Sequence, residues 1–136
     1  MNLISIRIIT ANIDALIKFY EKITGISAIQ YTPDFAEIQT NTATLAIGST
    51  NTLKFFGDES IAQPAENRSA IIEFLVDDVD REFERLRDFL TSYLVQEPTL
   101  MPWGNKSLLL RDPDGNLINL FTPHTQQAKE KFKMND

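Results

Sequence analysis

The stretch Ile8-Ile9-Thr10-Ala11-Asn12-Ile13-Asp14 is matched 66 positions later by Phe74-Leu75-Val76-Asp77-Asp78-Val79-Asp80. In both copies apolar strand residues run into a capping Asn or Asp, then a β-branched residue, then Asp14 or Asp80. Further on, Ile17 falls on Phe83. An internal repeat of this kind requires each copy to be one supersecondary unit that needs a neighbour to complete its burial. A unit of about 55 residues is marginal alone and leaves sheet edges open.

Each copy reads in the same order. In the first, Ile4, Ile6 and Ile8 alternate with Ser5, Arg7 and Ile9, the period-2 pattern of a strand over Leu3–Ile9. Asn12 is placed to cap a helix whose apolar stripe is Ile13, Leu16, Ile17, Tyr20 and Ile23, and Gly25 stops it. Strands are expected over residues 27–32, 35–39 and 42–47, with Thr52–Phe56 either joining this sheet or leading out of it. In the second copy a strand spans Ala70–Val76 and Asp78 caps a helix with the stripe Val79, Phe83, Leu86 and Leu90. Strands follow over residues 92–97, 106–111 and 117–121, and Asp114-Gly115 marks the hairpin between the last two.

The expected fold is therefore α+β, with tandem β-α-β-β-β modules over residues 3–56 and 70–123 within a single domain, 1–136. A polar linker covers 57–69 and a charged tail, helical or frayed, covers 124–136. Two such modules side by side make a curved mixed sheet with helices on its outer face. The inner face is a cup, a natural place for a small molecule.

Composition removes function classes. The 136 residues include no cysteine and one histidine, so thiol chemistry, disulfide frameworks and His-rich metal cages are excluded. A net charge of −6 argues against nucleic acid as a partner. No apolar run is long enough to span a membrane, and the alternating N-terminus does not read as a secretory signal. A cytoplasmic location is expected.

The repeat, the Phe19-Tyr20 pair, and the closing stretch Pro102-Trp103-Gly104 … Asp112-Pro113-Asp114-Gly115-Asn116-Leu117-Ile118 … Leu120-Phe121 together resemble the vicinal oxygen chelate superfamily. That superfamily includes glyoxalases, extradiol dioxygenases, fosfomycin-resistance enzymes and bleomycin-resistance proteins. The resemblance covers roughly Leu3–Pro123, and the Trp-Gly element is similar to the bleomycin-resistance branch. In metal-dependent members His, Glu or Gln ligands come from the first and last strand of each module. Carried over by position, these sites fall on Ser5, Ala46, Ile71 and Asn119. None is a usual ligand for a divalent metal of this family, so no metal and no other cofactor is expected.

The same resemblance turns Ser5, Arg7, Glu73, Asn119 and Phe121 toward the cup. For Arg7 and Glu73, again 66 apart, two roles are open: a salt bridge across the repeat, or Arg7 gripping an anionic ligand group. Trp103, in its loop, either caps the cavity and stacks a planar ligand or plugs a core edge or dimer interface. Phe35, Tyr31, Phe55, Phe56 and Met101 are further candidates for an apolar lining. Glu37 is either an inward base or a solvated carboxylate. His124, after the last strand, is expected to be exposed and outside any site.

The expected function is a metal-free, small-molecule sequestering protein. The resemblance implies a homodimer, and the acidic charge suits a cationic ligand. The alternative is a lyase, isomerase or dioxygenase of the same superfamily, metal-dependent or not.

Overall fold

The computed structural model describes residues 1–133, so the last three residues of the expected 124–136 tail lie outside the described residues. The chain forms two compact units. One comprises Met1–Asn67 with Pro113–Gly115, and the other comprises Arg68–Asp112 with the chain from Asn116. The break falls inside the polar stretch expected to link the modules.

The first unit begins with β1 (Ser5–Thr10), in which Ile8 and Thr10 are buried and Ser5 and Arg7 are exposed. Asn12 Oδ1 accepts the Ala15 N–H at 3.1 Å and starts α1 (Ile13–Thr24), whose first turn would otherwise have unpaired donors. Leu16, Ile17, Phe19, Tyr20 and Ile23 form its buried stripe. Then come β2 (Ile29–Thr32), β3 (Phe35–Gln39) and β4 (Thr44–Ser49), in the sheet order β1-β4-β3-β2. β1 runs parallel to β4, and the other pairs are antiparallel. α1 lies on β3 and β4, where Ala36, Ile38, Leu45 and Ile47 are buried.

Thr52–Phe56 is not a strand. It belongs to a 3-10 helix over Thr50–Phe56. Ser49 Oγ accepts the Asn51 N–H at 3.2 Å, and Thr52 Oγ1 donates to the Ser49 carbonyl at 2.7 Å. These local side-chain bonds offer the backbone a turn in place of a sheet ladder. Within the expected linker a second 3-10 turn spans Glu59–Ile61.

Asp34 ties the turn before β3 to this junction. Its Oδ1 accepts from Ser49 Oγ at 2.6 Å and from Asn51 Nδ2 at 3.1 Å. The hydrogen bond from Ser49, then that from Asn51, hold the Asp34 carboxyl below the ordinary carboxylate pKa. A group depressed in the folded state stabilises above its unfolded pKa and loses that contribution as pH falls through the folded value. Asp34→Ala should therefore lower the melting temperature at pH 7. The gap between variant and parent should close on acidification through and below the ordinary carboxylate range. Melting curves from pH 7 to pH 2 check both halves.

The second unit repeats the plan with β5 (Ile71–Leu75), α2 (Val79–Leu90), β6 (Leu94–Leu100), β7 (Asn105–Arg111) and β8 (Leu117–Pro123). Its sheet order is β5-β8-β7-β6, with β5 parallel to β8. Asp78 Oδ1 accepts the Arg81 N–H at 3.2 Å as the N-cap of α2. Thr122 Oγ1 accepts the Val79 N–H at 2.8 Å and donates to the Val76 carbonyl at 3.0 Å, joining β8 to the start of α2. α2 buries Val79, Leu86 and Leu90, and it covers the face where Leu108, Leu110, Ile118 and Leu120 are buried.

The tail forms α3 (Gln126–Lys131), capped by Thr125, whose Oγ1 accepts the Ala128 N–H at 3.2 Å. Ala128 is buried, and the Phe132 ring packs on Phe121 with centroids 5.2 Å apart. The tail is thus a docked helix rather than a frayed end. No helix among the described residues is long and apolar enough to cross a membrane.

Candidate functional site

Each sheet has one face covered by its helix and one that the helix leaves free. Strand parity assigns the candidate residues to these free faces. In the first unit the register runs Arg7–Ala46–Glu37–Ile29 across four strands, with Ile9–Gly48–Phe35 beside it and Ser5–Thr44–Gln39 on the other side. Arg7, Glu37, Phe35 and Gln39 therefore share a face.

The Arg7 guanidinium carbon lies 4.9 Å from the Phe35 ring centroid and 5.7 Å from that of Phe56. Phe35 comes from the start of β3 and Phe56 from the end of the 3-10 helix. Gly48 lies where the Arg7 stem crosses β4. A Cβ at Gly48 would meet Thr52 Oγ1 at 3.0 Å and come within 3.7 Å of Arg7 Cδ. Among the described residues of this unit, no carboxylate forms an ion pair with Arg7. Stacking on rings uses the faces of the guanidinium and leaves its in-plane N–H edge for another group.

Next to Arg7 is a polar row. Gln39 Nε2 donates to Glu37 Oε1 at 3.0 Å and to the Tyr31 hydroxyl at 3.3 Å. Tyr31 stacks on Phe35, centroids 6.1 Å apart. Hydrogen bonding to Glu37 raises the Tyr31 pKa above the ordinary phenol value, so the hydroxyl keeps its proton throughout the neutral range. Glu37 is half-buried and hydrogen-bonded, intermediate between the inward base and the solvated carboxylate that the sequence left open.

In the second unit the equivalent rung is Glu73–Asn119–Leu109–Gln96. Asn119 is buried and its Nδ2 donates to Glu73 Oε2 at 2.9 Å. Arg7 and Glu73, treated together in the sequence reading, each find contacts inside their own unit: rings for Arg7, an amide for Glu73. Ala46 and Asn119 hold equivalent rungs, opposite Arg7 and Glu73, whereas Ser5 and Ile71 pair with Thr44 and Leu117.

Phe121 shares the face of Asn119, as parity predicts, but its ring is packed by Phe132. Ser5 is exposed at the start of β1. Trp103 sits in the turn between β6 and β7 and is 67% exposed, so it does not plug the core of its own unit. His124 is exposed, its backbone N–H bonded to the Gly104 carbonyl at 2.9 Å.

The carried-over positions Ser5, Ala46, Ile71 and Asn119 offer neither imidazole nor carboxylate. Among the described residues no three His, Cys, Asp or Glu side chains come together as a metal-binding group. This donor set does not fit a divalent ion of the hard or borderline kind.

The structure adds one participant, Ser107, and gives the expected lining candidate Phe56 a specific contact. The contact of Phe56 with Arg7 depends on a 3-10 segment that has no strand or helix period to expose it. Ser107 shares the face of Asn119 and Phe121, being paired with Phe121. Counting outward from Asp114-Gly115 along the hairpin would have found it.

The family model for the Glyoxalase/Bleomycin resistance protein/Dioxygenase superfamily matches residues 2–120. No curated protein sequence matches the chain. Solved structures share its fold at low identity. A glyoxalase/bleomycin resistance protein/dioxygenase from Nocardioides is 18% identical with a TM-score of 0.75, over 93% of this chain and 85% of that one. A glyoxalase/bleomycin resistance protein/dioxygenase family enzyme from Burkholderia phytofirmans is 18% identical with a TM-score of 0.77, over 90% and 99%. A virulence protein of Salmonella typhimurium is 21% identical with a TM-score of 0.71, over 92% and 98%. With the repeat, the two four-stranded mixed sheets and the matched span in agreement, the chain belongs to the Glyoxalase/Bleomycin resistance protein/Dioxygenase superfamily.

Proposed function

We propose that this protein is a metal-independent small-molecule binding protein that holds its ligand rather than transforming it. The carrying observation is Arg7. Its guanidinium lies over Phe35 and Phe56 and no acid of its unit neutralises it. A guanidinium flanked by two rings and not ion-paired within its unit suits a planar ligand with a carboxylate or similar anionic group. Ser5, Glu73, Trp103, Asn119 and Phe121 are the further ligand-binding residues of this reading. The donor chemistry at the family's ligand positions supports binding without a metal or other cofactor.

A homodimer belongs to the proposal. Ile6, Ile71, Leu75 and Trp103 are exposed apolar groups, which suits an interface. The proposed compartment is the cytoplasm. Light scattering on the purified chain tests the dimer, and a monomer at all concentrations would remove it.

Calorimetric titration with benzoate tests the binding role. Arg7→Ala should weaken benzoate binding about tenfold or more, the loss expected for a charge-assisted contact. Its melting temperature should stay near the parent value, because the stacked cation contributes little to an exposed surface. Equal benzoate affinity in parent and variant defeats the assignment of Arg7. A glycopeptide antibiotic and other aromatic acids, followed by Trp103 fluorescence, extend the panel to the bleomycin-resistance-like branch. Metal analysis of protein purified without chelator is the companion measurement. Stoichiometric iron, manganese, nickel or zinc would favour the catalytic relatives instead.

A further inference from the structure

The face of the second sheet opposite α2, on which Phe132 packs against Phe121, carries buried polar atoms without hydrogen-bond partners among the described residues. Ser107 pairs with Phe121 and Leu109 with Asn119, so Ser107 and Asn119 are diagonal neighbours on one face. Asn105 follows two residues before Ser107 on the same strand face. Ser107 is 2% exposed and Asn119 is 7% exposed. Yet Ser107 Oγ, Asn119 Oδ1 and Asn105 Oδ1 have no hydrogen-bond partner among the described residues. A buried polar atom without a partner is disfavoured, and several on one face call for a physical reason.

The chemistry of these atoms is one-sided. Asn119 Nδ2 donates to Glu73 Oε2 at 2.9 Å. An ionised carboxylate only accepts, which orients the amide and turns Oδ1 away from Glu73. Asn119 Oδ1 and Asn105 Oδ1 are acceptors, and Ser107 Oγ can accept as well. The exposed Glu73 carboxylate adds negative charge beside them. Of the basic residues in this sheet, Lys106 faces the other way and pairs with Asp80 at 2.8 Å. Arg111 shares the face but lies opposite Leu117 at the far end of β7.

We infer that this face of the second unit binds the donor-rich cationic group of a ligand, a primary ammonium. Asn119 Oδ1, Ser107 Oγ and the Glu73 carboxylate accept its three N–H donors, and the adjoining apolar body lies on Leu109. The inference rests on the small-molecule reading above and adds the chemistry of one ligand group. It needs no contribution from Arg7.

The test uses the full chain with benzylammonium, benzyl alcohol and benzoate as probes. Nuclear magnetic resonance reads the Asn119 side-chain amide signals, and melting curves accompany it. Benzylammonium should shift those signals saturably, and benzyl alcohol should bind at least about fivefold more weakly. Ser107→Ala and Glu73→Gln should each weaken benzylammonium about fivefold or more. Ser107→Ala without probe should keep or raise the parent melting temperature, because it removes a buried hydroxyl that has no partner among the described residues.

A fall in that melting temperature, equal affinity for benzylammonium and benzyl alcohol, or unmoved Asn119 signals would overturn the inference. Benzoate separates the two levels. If benzoate binds through Arg7 and benzylammonium does not bind, this inference fails and the small-molecule reading stands. If neither binds, both fail.

Discussion

Gly104→Ala should destabilise the protein by about 2–4 kcal/mol, from two separate causes. Gly104 has φ +96°, in the region that side-chain-bearing residues avoid. That backbone strain alone is worth roughly 1–3 kcal/mol. The second cause is space. A Cβ at this position would stand 2.3 Å from Thr125 Oγ1 and 3.2 Å from Ala128 Cβ. Thr125 is the N-cap of α3, and Ala128 is its buried residue. The Gly104 carbonyl also accepts the N–H groups of His124 at 2.9 Å and Thr125 at 3.1 Å, so the start of the tail is fastened to the backbone of the Trp103 turn. The chain relieves the clash by turning the Thr125 hydroxyl out of its cap, by releasing α3 or by shifting the turn. Urea denaturation should show an earlier midpoint, and trypsin should cut more readily at Lys129 and Lys131. An unchanged midpoint with unchanged cleavage would show that the turn and helix are not packed in this way.

That contact also shows where sequence reasoning stopped. The two strand–helix starts were legible because local chemistry determines them. Asn12 and Asp78 can each satisfy a first-turn donor, and the stripes behind them have the helical period. β3 was legible at both ends, since Phe35–Gln39 alternates between turn residues. The parity of Ser5, Arg7 and Ile9 against Ile6 and Ile8 survived as well, because a period of two leaves only two faces to choose from. Thr52–Phe56 was not legible. Its residues suit a strand, but Ser49 and Thr52 divert the backbone through bonds that depend on where β4 ends. The consequence reaches the site, because the 3-10 helix is what brings Phe56 to Arg7. The choice between a helical and a frayed tail stayed open in the sequence for a similar reason. The tail's charged residues say nothing of Ala128 and Phe132, whose partners Gly104 and Phe121 are distant in sequence. Partners of Arg7 and Glu73 depended on register, which parity alone does not supply.

Asp112→Ala should cost about 3 kcal/mol, and the loss should be one of stability rather than of binding. Asp112 opens the Asp-Pro-Asp-Gly-Asn turn between β7 and β8 and is 3% exposed. Its Oδ1 accepts the Asn116 N–H at 2.9 Å, and its Oδ2 accepts the Asn116 Nδ2 at 2.8 Å. The Asp112 N–H in turn donates to the Asn116 carbonyl at 3.0 Å, so the two residues close the hairpin on each other. Removing the carboxylate leaves two buried donors of Asn116 without these acceptors, and a hydrogen bond to a charged group is worth roughly 1.5–3 kcal/mol. The two losses share one residue and will not add fully. Asp112→Asn separates them. The amide oxygen can still accept the Asn116 N–H, but its NH2 then meets the Asn116 NH2, so about half the loss should remain. The turn orders β8, and with it Asn119, only through the hairpin register. In the fraction that stays folded, benzoate affinity should match the parent. A variant of normal stability that loses benzoate would reassign Asp112 from the frame of the hairpin to the site itself.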